Sequence, residues 1–153
     1  MTETFPDTEL VITRVFNAPR ALVYQAFTDP DQLAQWFGPV GCSVPRDTVE
    51  IDARPGGHHS YTMVNDEDPS FRSPVNATYT EVIENELLVG TEDWEGVPGM
   101  QDGGTMTLRL EFHDEDGKTR LVIRQGPYTE QMKDMARQGW ESSFTKLDML
   151  LAG

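Results

Sequence analysis

The side chains able to do chemistry in this chain are few, and most are arranged for something other than catalysis. His58 and His59 are adjacent and invite a metal-site reading. They fall in a strand-like segment, where neighbours point to opposite faces, so the pair does not share one ion without a bulge. His113 sits beside a turn and reads as solvated. No paired-cysteine, H-E-x-x-H or acidic-loop spacing is present, so no metal is expected. Cys42 is the single cysteine and follows Gly41 at the start of a strand; it reads as a half-buried structural thiol. There is no G-x-S-x-G elbow. Gly56-Gly57 and Gly103-Gly104 lack the strand–loop–helix setting of a phosphate loop. No catalytic residue and no cofactor is assigned. A buried carboxylate acting as general base stays open, although Glu50 and Glu81 read as outer-face residues.

The aromatic and methionine side chains carry more. Trp36, Phe37, Tyr61, Met63, Tyr79, Trp94, Met106, Trp140 and Phe144 can all line a space between a sheet and a helix, with His59, Tyr61 and Tyr79 as polar tips. A mostly apolar pocket with a few polar groups is the usual form of a small-molecule site, and flexible methionines suit a loosely specified ligand. The opposing reading is that these side chains fill the space, above all Trp140 and Phe144. Trp36, Phe71 and Trp94, at helix or loop ends, fit a cavity mouth and a core equally well. The segment from Trp94 to Gly104 is rich in glycine yet carries Trp94, Val97 and Met100. It reads either as a lid over the cavity mouth or as a connector pinned by Trp94.

The elements that must position these residues follow from periodicity. Thr8 to Phe16 alternates as a strand. Pro19 suits the first position of a helix, and Leu22, Val23, Ala26 and Phe27 form its apolar face. Asp29-Pro30 opens a second short helix with Asp29 as N-cap, and Gly38-Pro39 ends it after Trp36-Phe37. Strands are expected over Ser43 to Ala53, His58 to Val64, Val75 to Ile83, Leu87 to Asp93, Thr105 to His113 and Lys118 to Gln125, with turns at Arg54 to Gly57, Glu84 to Glu86 and Asp114 to Gly117. Met132, Met135, Ala136, Trp140, Phe144, Leu147 and Leu151 then recur at helical spacing from about Thr129 to Leu151. Short turns make the sheet antiparallel, and the long helix is its cover. One helix is narrower than seven strands, so a gap between them is expected unless the sheet curls tightly.

The chain has 153 residues and a formal net charge of −14, read as a tail over 1–7 and a single domain over 8–153. The acidic surface argues against nucleic acid and against anionic membranes, and fits either solubility or a high-salt habitat. No apolar stretch is long enough to span a bilayer, and the N-terminus lacks a signal-peptide pattern. A cytoplasmic location is expected.

Four pieces resemble a known family in the same order: Arg14-Val15-Phe16-Asn17-Ala18-Pro19; Thr28-Asp29-Pro30 leading to Trp36 and Gly38-Pro39; Arg54-Pro55-Gly56-Gly57; and Lys118-Thr119-Arg120-Leu121. Gly139-Trp140 is a fifth. The chain resembles the helix-grip proteins of the START-like, SRPBCC superfamily, and most closely the family named after the activator of the heat-shock-protein-ninety ATPase. That family usually shows a second Trp where this chain has Phe37. The resemblance implies an α+β fold, a curled seven-stranded antiparallel sheet gripping a long C-terminal helix, with two short helices after strand 1 and an apolar cavity between. It implies less about the ligand, since members bind lipids, sterols, polyketides or nothing known; the gap and its aromatic and methionine lining give the expected function, non-catalytic binding of a small apolar or amphipathic, lipid- or polyketide-like molecule. A chaperone partner, a homodimer and a cyclase- or dehydratase-type enzyme stay open as alternatives.

Overall fold

The computed structural model describes residues 9–38, 40–68, 70, 72–93, 105–126, 128 and 130–152. Strand β1 (Leu10–Phe16) leads into helices α1 (Arg20–Thr28) and α2 (Pro30–Trp36). Two-residue strands β2 (Cys42–Ser43) and β3 (Glu50–Ile51) precede β4 (His58–Asn65), β5 (Arg72–Ile83), β6 (Leu87–Asp93), β7 (Thr105–Glu115) and β8 (Lys118–Gly126). Helix α3 (Glu130–Ala152) closes the order. Every pairing is antiparallel. The strands follow one another as β1-β8-β7-β6-β5-β4-β2, seven in a row, with β3 beside β2 on the same edge of β4.

The two helix starts form much as their residues dictate. Pro19 sits one position earlier than expected: it is the N-cap of α1 in extended conformation, and its carbonyl accepts from Leu22 and Val23. Asp29 serves both helices. Its backbone N–H closes α1 on the Gln25 carbonyl, and its carboxylate accepts from the Asp31 N–H at the start of α2. The strand expected over Ser43 to Ala53 is broken. Pro45 has no N–H to pair, and Arg46–Thr48 form a 3-10 turn instead. The Thr48 hydroxyl donates to the Pro45 carbonyl and accepts from the Thr62 N–H, so a side chain replaces the missing ladder.

Curling of the sheet is visible in what α3 touches. Asp148 pairs with Arg14 on β1, while Lys146, two residues earlier, donates to the Cys42 carbonyl on β2 at 3.2 Å. These strands are the two ends of the row, and one helix reaches both. Phe16, Phe27, Trp36, Phe112, Leu121, Ile123, Phe144 and Leu147 are almost fully buried between the layers. Strand β7 shows the alternation clearly: Met106, Leu110 and Phe112 are buried while Thr107 is exposed.

Two of the sequence pieces have direct structural reasons. The Thr119 hydroxyl, fully buried, donates to the Ala18 carbonyl at 2.7 Å and ties β8 to the turn before α1. A Cβ on Gly57 would lie 2.0 Å from the Asp52 carbonyl oxygen, so no side chain fits there. That turn exchanges backbone bonds with Tyr79, Gly56 N–H to its carbonyl and its N–H to Gly57. Tyr79 is thereby fixed on the inner face.

Candidate functional site

A cavity of about 50 Å³ lies between the concave sheet face and Trp140 of α3. Its floor is set by strand register. His59, Ala77 and Glu92 are cross-strand neighbours on β4, β5 and β6, and Tyr79, Gly90, Leu108 and Gln125 form the adjoining row across β5 to β8. Phe27, Phe37, Tyr61, Leu88, Leu110 and Trp140 complete the lining. The space exists because Ala77 and Gly90 put almost no side chain on an inward face otherwise carrying large groups. A methyl on Gly90 would meet the Thr78 carbonyl at 3.2 Å, where β5 bulges between Tyr79 and Glu81.

The walls are aromatic and mutually braced. The Phe37 ring meets Tyr61 at 4.9 Å and Trp140 at 5.7 Å, both edge to face. His59 leans on Tyr61 at 5.3 Å and stacks on Tyr79 at 6.0 Å. Trp140 is held by its indole N–H, which donates to the Gln125 side-chain oxygen at 2.9 Å.

The polar groups are poorly satisfied. His59 Nε2 and Tyr79 Oη are buried with no hydrogen-bond partner among the described residues. Each such atom costs about 1–3 kcal/mol. Burial, with the neighbouring His58, brings the His59 imidazole down to about 4, so it is neutral at ordinary pH. Burial also lifts the Glu92 carboxyl from 4.5 to about 7. The Tyr61 and Tyr128 hydroxyls are pushed up by burial first and by the nearby Glu92 charge second. Among the described residues lining the cavity there is no lysine or arginine.

Of the ten residues singled out in the sequence, Phe37, His59, Tyr61, Tyr79 and Trp140 line this cavity together. Trp36 belongs to the core: its indole N–H donates to the Ala26 carbonyl at 2.9 Å, and its ring packs edge-on against Phe27 and Phe37. Phe144 packs on Phe16 and on Trp140, and Met106 is buried beside Glu92 in the register. Met63 faces Gly38, toward the end of α2. Trp94, the loop through Gly104 and Phe71 lie outside the described residues. His58 is exposed, on the face opposite His59, and no group of three or more potential metal ligands occurs among the described residues.

Glu92 and Gln125 are the polar lining residues that the sequence reading missed. The signal was present: counting by twos from the buried Leu88 reaches Gly90 and then Glu92, and from Leu121 reaches Ile123 and Gln125. A carboxylate and an amide at inward positions stand against the alternation and mark a functional or structural polar group.

The architecture is that of the helix-grip α+β proteins. Residues 17–152 match the family described as activator of Hsp90 ATPase homolog 1-like protein, and the chain belongs to that family. Solved structures agree. A Chromobacterium violaceum protein, 24% identical, superposes with a TM-score of 0.83 over 95% of this chain and 98% of its own. A Silicibacter pomeroyi protein described as AHSA1 is 26% identical, with a TM-score of 0.79 over 94% and 97%. A Staphylococcus epidermidis protein is 28% identical, with a TM-score of 0.78 over 99% and 94%. No curated protein matches the sequence. No helix among the described residues is long and apolar enough to cross a membrane.

Proposed function

We propose that this chain binds a small amphipathic molecule in the cavity between its sheet and α3, with its apolar part against Phe37, Tyr61 and Trp140. The observation that carries this reading is the pair of orphaned buried atoms, His59 Nε2 and Tyr79 Oη. A ligand polar group between them would recover the free energy that their burial costs.

The size of the space limits the ligand. About 50 Å³ holds roughly four water molecules, several-fold below the roughly 300 Å³ of an ordinary drug-sized pocket. The wide gap expected from one helix on seven strands is narrowed by the curl of the sheet and by the Phe37, Tyr61 and Trp140 rings. A lipid- or polyketide-sized molecule would need those rings to move; a short-chain molecule would not. Native mass spectrometry with short-chain alcohols, fatty acids, a sterol and a polyketide-like compound tests this, using the wild type and a cavity-filled Ala77→Leu variant. A one-to-one complex with a short-chain compound, lost in Ala77→Leu, is expected. Complexes indifferent to that substitution, or none, would overturn the reading.

A cyclase- or dehydratase-type enzyme is the second reading, favoured by one observation. A carboxyl poised near 7 beside tyrosine hydroxyls is suited to general acid–base work. It calls for turnover with an inflection near pH 7 that Glu92→Gln abolishes. The co-chaperone role named in the family's description is tested separately, by stimulation of the chaperone ATPase on adding this protein.

A further inference from the structure

Glu92 gives the cavity a sign. It lies in the floor row with His59 and Ala77, and the small Ala77 leaves open space between the imidazole and the carboxyl. Among the described residues, Tyr61 on β4 and Tyr128 ahead of α3 are the groups whose titration the Glu92 charge shifts, and His59 on β4 and Tyr79 on β5 line the same cavity. None of these is a cation at neutral pH. His59 is held neutral by burial, and the three tyrosine hydroxyls are held protonated. The remaining polar wall is Gln125, whose side-chain oxygen is engaged by Trp140. The rings of Phe37, Tyr61 and Trp140 offer π faces and edges around the same space.

A second carboxylate in this setting would meet a like charge with no lysine or arginine among the described lining residues to neutralise either. A protonated amine would meet the opposite charge, and aromatic rings that attract a cation. We infer that the cavity selects its ligand by charge, taking a small amphipathic molecule through a protonated amine bound to the Glu92 carboxylate and refusing carboxylate-headed molecules of the same size. This rests on the cavity being the binding site proposed above. Fatty-acid-like anions are then poor ligands even though the walls are apolar.

Amine binding carries a pH signature. Among the described cavity residues, Glu92 is the group that titrates near neutrality. A primary alkylamine keeps its proton to about pH 10, as a lysine side chain does. Amine affinity therefore rises about tenfold per pH unit up to about pH 7 and is level above it.

The test uses butylamine, butanol and butyrate, titrated against the full chain with the Trp140 indole N–H followed by NMR, from about pH 5 to about pH 9. At the upper end butylamine should bind at least about tenfold more tightly than butyrate, and its affinity should step near pH 7. Butanol should change by no more than about twofold across the range. Glu92→Gln should weaken butylamine about tenfold and remove the step. Butyrate binding as well as butylamine, or butylamine indifferent to pH and to Glu92→Gln, would overturn the charge inference while butanol binding upheld the site. Failure of all three probes to bind would overturn the site itself and the inference with it.

Discussion

The Trp140 indole N–H donates to the Gln125 side-chain oxygen at 2.9 Å, joining α3 to β8 across the cavity that both residues line. The bond explains why an amide is tolerated at an inward position of β8, where Leu121 and Ile123 are fully buried.

Removing that ring should be costly. Trp140→Ala should destabilise by roughly 3–5 kcal/mol, as large-to-small core changes do. Trp140→Phe keeps most of the volume but leaves the Gln125 amide unpaired, a loss of about 1–3 kcal/mol. Urea unfolding measures both. A loss below about 0.5 kcal/mol for Trp140→Ala, typical of a surface site, would contradict the placement of α3.

Two glycines, one in a turn and one in a helix, should respond in opposite directions. A Cβ on Gly57 collides with the Asp52 carbonyl, whereas a Cβ on Gly139, in the middle of α3, meets nothing within 4 Å. Gly139→Ala should therefore stabilise by about 0.5–1 kcal/mol through helix propensity alone. Gly57→Ala should destabilise and disturb Tyr79, which exchanges backbone bonds with that turn. Thermal unfolding distinguishes the two; destabilisation by Gly139→Ala would mean a close contact at that position.

Glu92 and His59 should pull stability in opposite directions with pH. Glu92 is raised from 4.5 to about 7 on folding, so the folded state keeps a proton the unfolded chain has released. Its penalty is absent below about 4.5 and grows as pH rises to about 7. His59 is lowered from 6.5 to about 4, so its neutral burial is harmless above 6.5 and costs stability as pH falls toward 4. Glu92→Gln should stabilise the protein near pH 8 by up to about 3 kcal/mol more than near pH 4.5. Chemical unfolding at the two pH values checks this, and an equal effect at both would show that Glu92 is not buried as described.

Much of the fold was legible because its elements carry strong local signals. Asp29-Pro30, the alternation of β7 and the helical spacing from Met132 to Leu151 each point to one structure without help from the rest. The segment from Ser43 to Ala53 was misread because Pro45 and Thr48 build a side-chain-bonded turn, and alternation alone does not reveal that. The cavity was only half legible. Aromatic residues announce a possible wall, but which of them line a space depends on neighbours that are small. Ala77 and Gly90 create the opening, and their effect appears only once register places them beside His59 and Tyr79. Trp36 and Phe144 resemble the lining residues in type, and only their partners, the Ala26 carbonyl and the Phe16 ring, assign them to the core.

Whether the space under α3 admits a small molecule is read from the Trp140 indole N–H, which lies at that space. On titration with butanol, that NMR signal should move and saturate. The Trp36 indole, bonded to the Ala26 carbonyl in the core, should stay in place. Ala77→Leu, which fills the floor of the cavity, should abolish the Trp140 response. A Trp140 signal that does not move, moves without saturating, or responds equally in Ala77→Leu would contradict the account.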